Sequence, residues 1–182
     1  MDFLETTIPG AFLVTLKKIT DDRGYFGRGF CRDEFKAHGL IGDMVQLNVG
    51  SSHKKGTLRG MHFQARPHQE AKFVRCTRGA LYDVVVDLRH DSPTRLRWFG
   101  AELTADNGKM LYVPEGFAHG YQTLVDDTDM YYLTSATYAA SAAGGVRHDD
   151  PAFGIRWPLP VSVISDADGR WPDYVAAISE RL

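Results

Sequence analysis

Ten short runs of apolar residues, each four to nine residues long, succeed one another along this 182-residue chain. They span residues 12–17, 24–30, 44–50, 57–64, 72–77, 80–88, 97–103, 110–113, 119–124 and 129–134, and Gly, Pro, Asn and Asp punctuate the gaps. The runs are rich in Val, Tyr, Phe and Thr, whose branched or aromatic side chains suit a pleated surface. Most are too short for a stable helix, so the pattern predicts an all-β sandwich or barrel. Only two helices are expected, over 32–38 (closed by Gly39) and over 173–181 at the C-terminal end. The run 138–145, made of Tyr, Ala, Ser and Gly, reads as a loop. No repeat or linker divides the chain, and its length suits one domain over 1–182.

Charge and cysteine content exclude several roles. The formal net charge is −2 and no long basic run occurs, so a nucleic-acid footprint is not expected. The one dense cationic group, His53-Lys54-Lys55, reads as a solvated turn. Cys31 and Cys76 form no CxxC, which argues against disulfides and structural zinc. No apolar run reaches the ~18 residues of a membrane span, and no charged-then-apolar leader is seen. A cytoplasmic protein is the expectation.

The run 80–88 carries the first hint of a site. Alternation puts Tyr82, Val84, Val86 and Leu88 on one face, wholly apolar and therefore core. Leu81, Asp83, Val85 and Asp87 share the other. Two carboxylates on such a face either cap loops and pair with Arg, or line a polar cavity and fix a cation.

Two further stretches have the spacing of a known fold. "GKMLYVPEGFAHGYQT" (108–123) places Gly108, Pro114, Gly116, His119 and Thr123 as in the second signature of the cupin fold, with Thr for the usual Asn. "GTLRGMHFQARPHQEAKFVRCTRG" (56–79) resembles the first signature, with five residues between Gly56 and His62. The second ligand histidine is replaced by Gln64, and the ligand carboxylate, near the closing Gly79, by Lys72. A protonated lysine repels a dication, so no metal is expected. His68 and Glu70, in a Pro-containing turn, fit no standard ligand set.

An ammonium can replace a metal in one chemical respect. It stabilises an oxyanion electrostatically, as a Lewis acid would, and more so in a low-dielectric cavity. An imidazole beside it can act as base. Lys72 and His62 therefore suit proton abstraction from a carbon next to a carbonyl, His62 taking the proton and Lys72 holding the enolate oxygen.

Over nearly its whole length the chain resembles the dTDP-4-dehydrorhamnose 3,5-epimerase family. The resemblance is carried by "DDRGYF" (21–26), "LRGMHFQ" (58–64), "EAKFVRCTRGALYDVVVDLRHDSPT" (70–94), "VPEGFAHGY" (113–121), "YYLTSATY" (131–138), "HDDPAFGIRWP" (148–158) and "SDAD" (165–168). It implies a cupin-type jelly roll, a homodimer without cofactor or metal, and epimerisation of a nucleotide-diphosphate 4-keto-6-deoxyhexose beside the ketone. By position, His62 matches the base, Asp168 the carboxylate that orients it, Lys72 the enolate stabiliser and Tyr132 the residue that returns a proton on the opposite face. Arg23 and Arg59 match the diphosphate contacts, and Phe26 a residue near the nucleobase, with Tyr138 beside it. Gln46, Asn48 and His119 match sugar-pocket residues.

Parity along 129–134 does not say which of Tyr131 and Tyr132 faces inward, and the resemblance alone selects Tyr132. Simple alternation puts Arg59 opposite His62, so both serve one site only if Gly60 kinks or bulges the strand. The chain departs from the family at three places. Arg28 stands where an acidic residue usually follows the "RGxF" block, Leu47 replaces an Asp between Gln46 and Asn48, and an aromatic pair is reduced to Thr137-Tyr138. These changes leave dTDP or CDP as carrier. The alternatives on the same fold are a nucleotide-sugar 3,4-ketoisomerase and a non-catalytic sugar-nucleotide-binding module.

Overall fold

A computed structural model describes residues 1–182. Its elements follow in the order β1 (Asp2–Glu5), β2 (Phe12–Thr15), β3 (Ile19–Asp21), β4 (Gly24–Phe26), α1 (Arg32–Ala37), β5 (Gln46–Ser52), β6 (Leu58–Gln64), β7 (Lys72–Arg78), β8 (Ala80–Asp87), β9 (Trp98–Thr104), β10 (Lys109–Val113), β11 (Phe117–Thr123), β12 (Thr128–Thr134), β13 (Ala143–Gly145), α2 (Asp166–Gly169) and α3 (Ala176–Glu180). From β5 to β12 the pairing is that of one long antiparallel hairpin. β5 pairs with β12, β6 with β11, β7 with β10, and β8 with β9 at the closed end. Rolled on itself, the hairpin adds the pairs β7–β12 and β8–β11. The result is a jelly roll of two sheets, in the orders β1-β2-β10-β7-β12-β5 and β13-β6-β11-β8-β9.

Three apolar layers hold it together. Between the sheets lie Ile8, Val74, Cys76, Leu81, Val85, Leu103, Leu111, Phe117 and Met130, among others. The outer face of the five-stranded sheet (Met61, Phe63, Val84, Val86, Leu88) is covered by Phe153, Ile178 and Leu182 from the C-terminal segment. On the outer face of the six-stranded sheet, Phe73, Met110 and Tyr112 pack under Phe35 of α1. The wholly apolar face of β8 is thus core, as alternation requires. The core it enters is the outer one, beneath the C-terminal segment, while Asp83 and Asp87 point between the sheets.

The ten expected strands are present, with ends shifted by a few residues. The run 24–30 is strand only over Gly24–Phe26, paired with β3 in a hairpin that joins neither main sheet. The expected helix over 173–181 is confined to α3. Arg147 N–H donates to the Pro172 carbonyl and Tyr174 N–H to the Asp150 carboxylate, so the chain before Ala176 is held extended. The segment read as a loop contributes β13, which pairs with β6 through backbone alone. Its sequence, AGG, has no side chains whose alternation could reveal a strand.

Candidate active site

Glycine at two facing positions determines which side chains of β6 reach the interior. His62 stands opposite His119 in register, yet Arg59 stands opposite Tyr121, so Gly60 and Met61 together face Gly120 alone. This is the β-bulge that a common site for Arg59 and His62 demands. Gly60 has φ +140°, and a Cβ there would lie 2.6 Å from the Gly120 Cα. A Cβ on Gly120 would in turn meet the Arg59 carbonyl oxygen at 2.7 Å. Both positions must lack a side chain for the strands to approach.

The bulge opens a cavity of about 340 Å³ between the sheets. Arg59, His62, His119 and Tyr121 line it from the five-stranded sheet; Asn48, Lys72, Met130 and Tyr132 line it from the six-stranded one. Met130 belongs to the interior core, so two residues on Tyr132 also faces inward, and Tyr131 faces out. Burial raises the Tyr132 phenol above its ordinary pKa, aided by the nearby negative charge of Glu70 and by Tyr121. The phenol therefore keeps its proton well above neutral pH.

His62 is paired with a carboxylate from the far end of the chain. Its Nε2 lies 2.7 Å from Asp168 Oδ1. A carboxylate only accepts, so Nε2 carries the proton and Nδ1 keeps the lone pair of a base. Asp168 sits in α2, where the Ser165 hydroxyl caps its backbone N–H. Burial pushes its carboxyl up, but hydrogen bonds from His62, the Gly60 N–H and the Trp171 indole outweigh this and hold it below the usual range.

A second imidazole–carboxylate pair lies deeper. His119 Nε2 is 2.7 Å from Oδ1 of Asp83, which is fully buried. Of the two carboxylates of β8, then, Asp83 lines the polar interior. Asp87 takes the other role, binding Arg89, Ser92 and Thr94.

The positions that hold metal in a cupin are otherwise employed. The Gln64 amide ties down the loop after β12, donating to the carbonyls of His68 and Thr137 and accepting from Ala139 N–H. Lys72 Nζ forms a buried ion pair with Glu70 at 3.2 Å. Both cavity histidines are committed to carboxylates through Nε2. A donor set of an ammonium, an amide and two engaged imidazoles does not fit a cupin metal, and no three His, Cys, Asp or Glu side chains gather to make another site.

Of the eleven residues singled out in the sequence, His62, Lys72, Tyr132, Asn48, Arg59 and His119 share this cavity, with Asp168 behind His62. Gln46 is adjacent, donating to Asn48 at 2.8 Å and accepting from the Tyr138 N–H. The Tyr138 ring is exposed. Arg23 and Phe26 lie elsewhere, on the β3–β4 hairpin. Gly29, just beyond it, sits against Arg75 and Tyr131 on the outer face of the six-stranded sheet. Phe26 is 74% exposed, and Arg23 is paired only with Asp21. Arg28 is tied to Glu34 of α1 at 2.7 Å. Sequence reasoning missed Asp83 as the partner of His119, Trp171 as a donor to Asp168, and Glu70 as the partner of Lys72. For Asp83 the parity of β8 was a usable signal.

Comparison with known proteins gives the chain's relatives. Residues 5–175 match the family model described as dTDP-4-dehydrorhamnose 3,5-epimerase. A curated protein of that name from Sinorhizobium fredii is 44% identical over 173 residues, 94% of this chain and 89% of its own. The crystal structure of a dTDP-4-dehydrorhamnose 3,5-epimerase from Bacillus anthracis with TDP and PPi bound is 39% identical, with a TM-score of 0.92 over 95% of this chain and 99% of that one. A 3'-monoepimerase from Streptomyces bikiniensis in complex with dTDP-quinovose is 36% identical, with a TM-score of 0.85 over 97% of this chain and 88% of that one.

Proposed function

The chain belongs to the dTDP-4-dehydrorhamnose 3,5-epimerase family, and we propose that it inverts a nucleotide-linked 4-keto-6-deoxyhexose beside its ketone without metal or cofactor. One observation supports this above the others: His62 projects from one sheet, and Lys72 and Tyr132 from the other, across a single cavity. A sugar ring between the sheets has a base on one face and an acid on the other. His62 Nδ1 takes the proton from the carbon flanking the ketone, Asp168 stabilises the imidazolium, and the Lys72 ammonium holds the enolate oxygen. Tyr132 returns a proton from the opposite face, which inverts the carbon. A 3,4-ketoisomerase shuttles its proton on one face and makes no use of an acid on the facing sheet.

The carrier we propose is dTDP. The relatives above are named for dTDP sugars or bind TDP or dTDP-quinovose. Arg28, one of the three departures that left CDP open, is tied to Glu34. Proton NMR in deuterium oxide with dTDP- and CDP-linked 4-keto-6-deoxyhexoses tests both points. Deuterium should enter at one or both carbons flanking the ketone, fastest with dTDP. In Tyr132→Phe exchange should continue while inversion falls by on the order of 100-fold. Full inversion in that variant refutes the acid, and absence of exchange in the wild type refutes the activity.

The assembly we propose is a homodimer. The edge strand β5 exposes Leu47 and Val49, beside exposed Val45, and unpaired apolar edges are normally covered. Arg23 and Phe26 lie outside their own cavity, which fits a hairpin that serves the partner's. For location, no helix is long and apolar enough to cross a membrane. Cys31 and Cys76 are both free, which suits the cytoplasm.

A further inference from the structure

Lys72 occupies the slot of a metal-binding carboxylate, and the nearest carboxylate has not vanished but stands two residues earlier. Glu70 Oε1 lies 3.2 Å from Lys72 Nζ, with the two side chains only 11% and 9% exposed. An ammonium buried this deeply without a counter-charge carries a heavy desolvation cost, and a lysine side chain with four rotatable bonds does not place its charge unaided. We infer that Glu70 is a positioning residue for the epimerisation, fixing the Lys72 ammonium where the ketone oxygen must be met. The inference rests on the enolate chemistry proposed above.

The donor count allows it. An ammonium has three N–H groups, and Glu70 takes one, leaving two for an oxygen in the cavity. Because the pair is formed before substrate arrives, the charge needs no reorganisation during the reaction, which is what makes a fixed charge effective. Gln64, also close to this turn, spends its amide on backbone and does not compete for Lys72.

Glu70 also reaches the proposed acid. Lys72 Nζ is 6.0 Å from the centroid of the Tyr132 ring, and after burial the charge of Glu70 is the next cause holding the phenol's proton on. The cavity presents other titratable or charged groups to Tyr132: His119 and Tyr121 from β11, and His62 and Arg59 from β6. Neutralising Glu70 leaves all of these and the burial in place. It removes one contribution that raises the phenol's pKa, so the Tyr132 proton should be lost at lower pH.

The test compares Glu70→Gln and Glu70→Asp in the full-length enzyme, assayed well below the melting temperature of each, with a dTDP-linked 4-keto-6-deoxyhexose. Glu70→Gln should lower kcat on the order of 10- to 100-fold, the effect of a misplaced catalytic charge. KM should change by less than about threefold, since nucleotide contacts are untouched. The alkaline limb of its pH–kcat profile should move to lower pH. Glu70→Asp, which retains the charge, should keep that limb at the wild-type position even if kcat falls. Wild-type kcat in Glu70→Gln, or a loss of kcat with the limb unmoved, overturns the inference. Either result alongside normal proton exchange in the wild type spares the proposed function; a wild type that exchanges no proton overturns both.

Discussion

Arg59 and His62 line one cavity although they stand three positions apart on a single strand, an odd step that regular alternation would put on opposite faces. The geometry depends on two glycines stacked at the bulge, with room for neither to carry a methyl group. Gly60→Ala should therefore cost about 2–4 kcal/mol, from positive-φ strain and a clash with the opposing backbone. It should also turn Arg59 or His62 out of the cavity. Chemical denaturation and kcat should fall together, and a variant with the wild-type midpoint and rate would show that the bulge is dispensable.

The Asp168 carboxylate fixes which nitrogen of His62 is free. Replacing it by Asn keeps an acceptor but also offers an NH2 group, so the opposite tautomer becomes equally well bound. Asp168→Asn should reduce kcat on the order of 10²- to 10⁴-fold, the range seen when a catalytic imidazole loses its orienting carboxylate. His62→Ala should abolish exchange of the protons next to the ketone. If Asp168→Asn exchanges those protons at the wild-type rate, the carboxylate is structural only.

The sequence made the strands legible because those covered on both faces read as short apolar runs bounded by Gly, Pro, Asn and Asp, while those with a wet face alternate. It concealed β13 and the truncation of the C-terminal helix, which depend on backbone bonds to distant partners: β6 for the first, Asp150 and Arg147 for the second. Within the site, His62, Lys72 and His119 were visible through the spacing of a fold whose ligand slots they occupy. Asp168 came from the family resemblance alone, since the contact joins residues 106 positions apart and no periodicity connects them. Glu70 was considered as a metal ligand, a role chosen by residue type. Its partner is an ammonium, and only the path of the chain through the turn before β7 discloses that.

Asp87 should stabilise the closed end of the long hairpin in a pH-dependent way. It is fully buried at the end of β8 and accepts from Arg89, Ser92 and Thr94 in the turn that leads to β9. Burial raises its carboxyl pKa, but these bonds prevail and depress it below the unfolded value. A depressed carboxylate contributes stability that is complete above the unfolded pKa of about 3.9 and is lost as pH falls through the folded value. Asp87→Asn should thus cost about 1.5–3 kcal/mol at pH 7, with the gap to wild type narrowing below roughly pH 4. Urea titrations at pH 7, 5 and 3 measure this, and a gap independent of pH would assign the loss to packing.

The proposed dimer links assembly to activity through particular residues. Val49 is 76% exposed on edge strand β5, next to exposed Leu47. If a second copy covers that edge, a lysine there meets a desolvated apolar surface and the dimer should dissociate. Val49→Lys should then sediment at the mass of one chain with far-UV circular dichroism unchanged, because in the monomer this side chain already faces water. Activity should fall as well, since an isolated chain keeps His62, Lys72 and Tyr132 but has no partner hairpin to bring Arg23 and Phe26 to its cavity. The two losses are separable: Arg23→Ala should remain dimeric while binding dTDP about tenfold more weakly or worse, as removal of a charge-assisted phosphate contact implies. A monomeric Val49→Lys with wild-type kcat and KM would mean that each cavity is complete within its own chain.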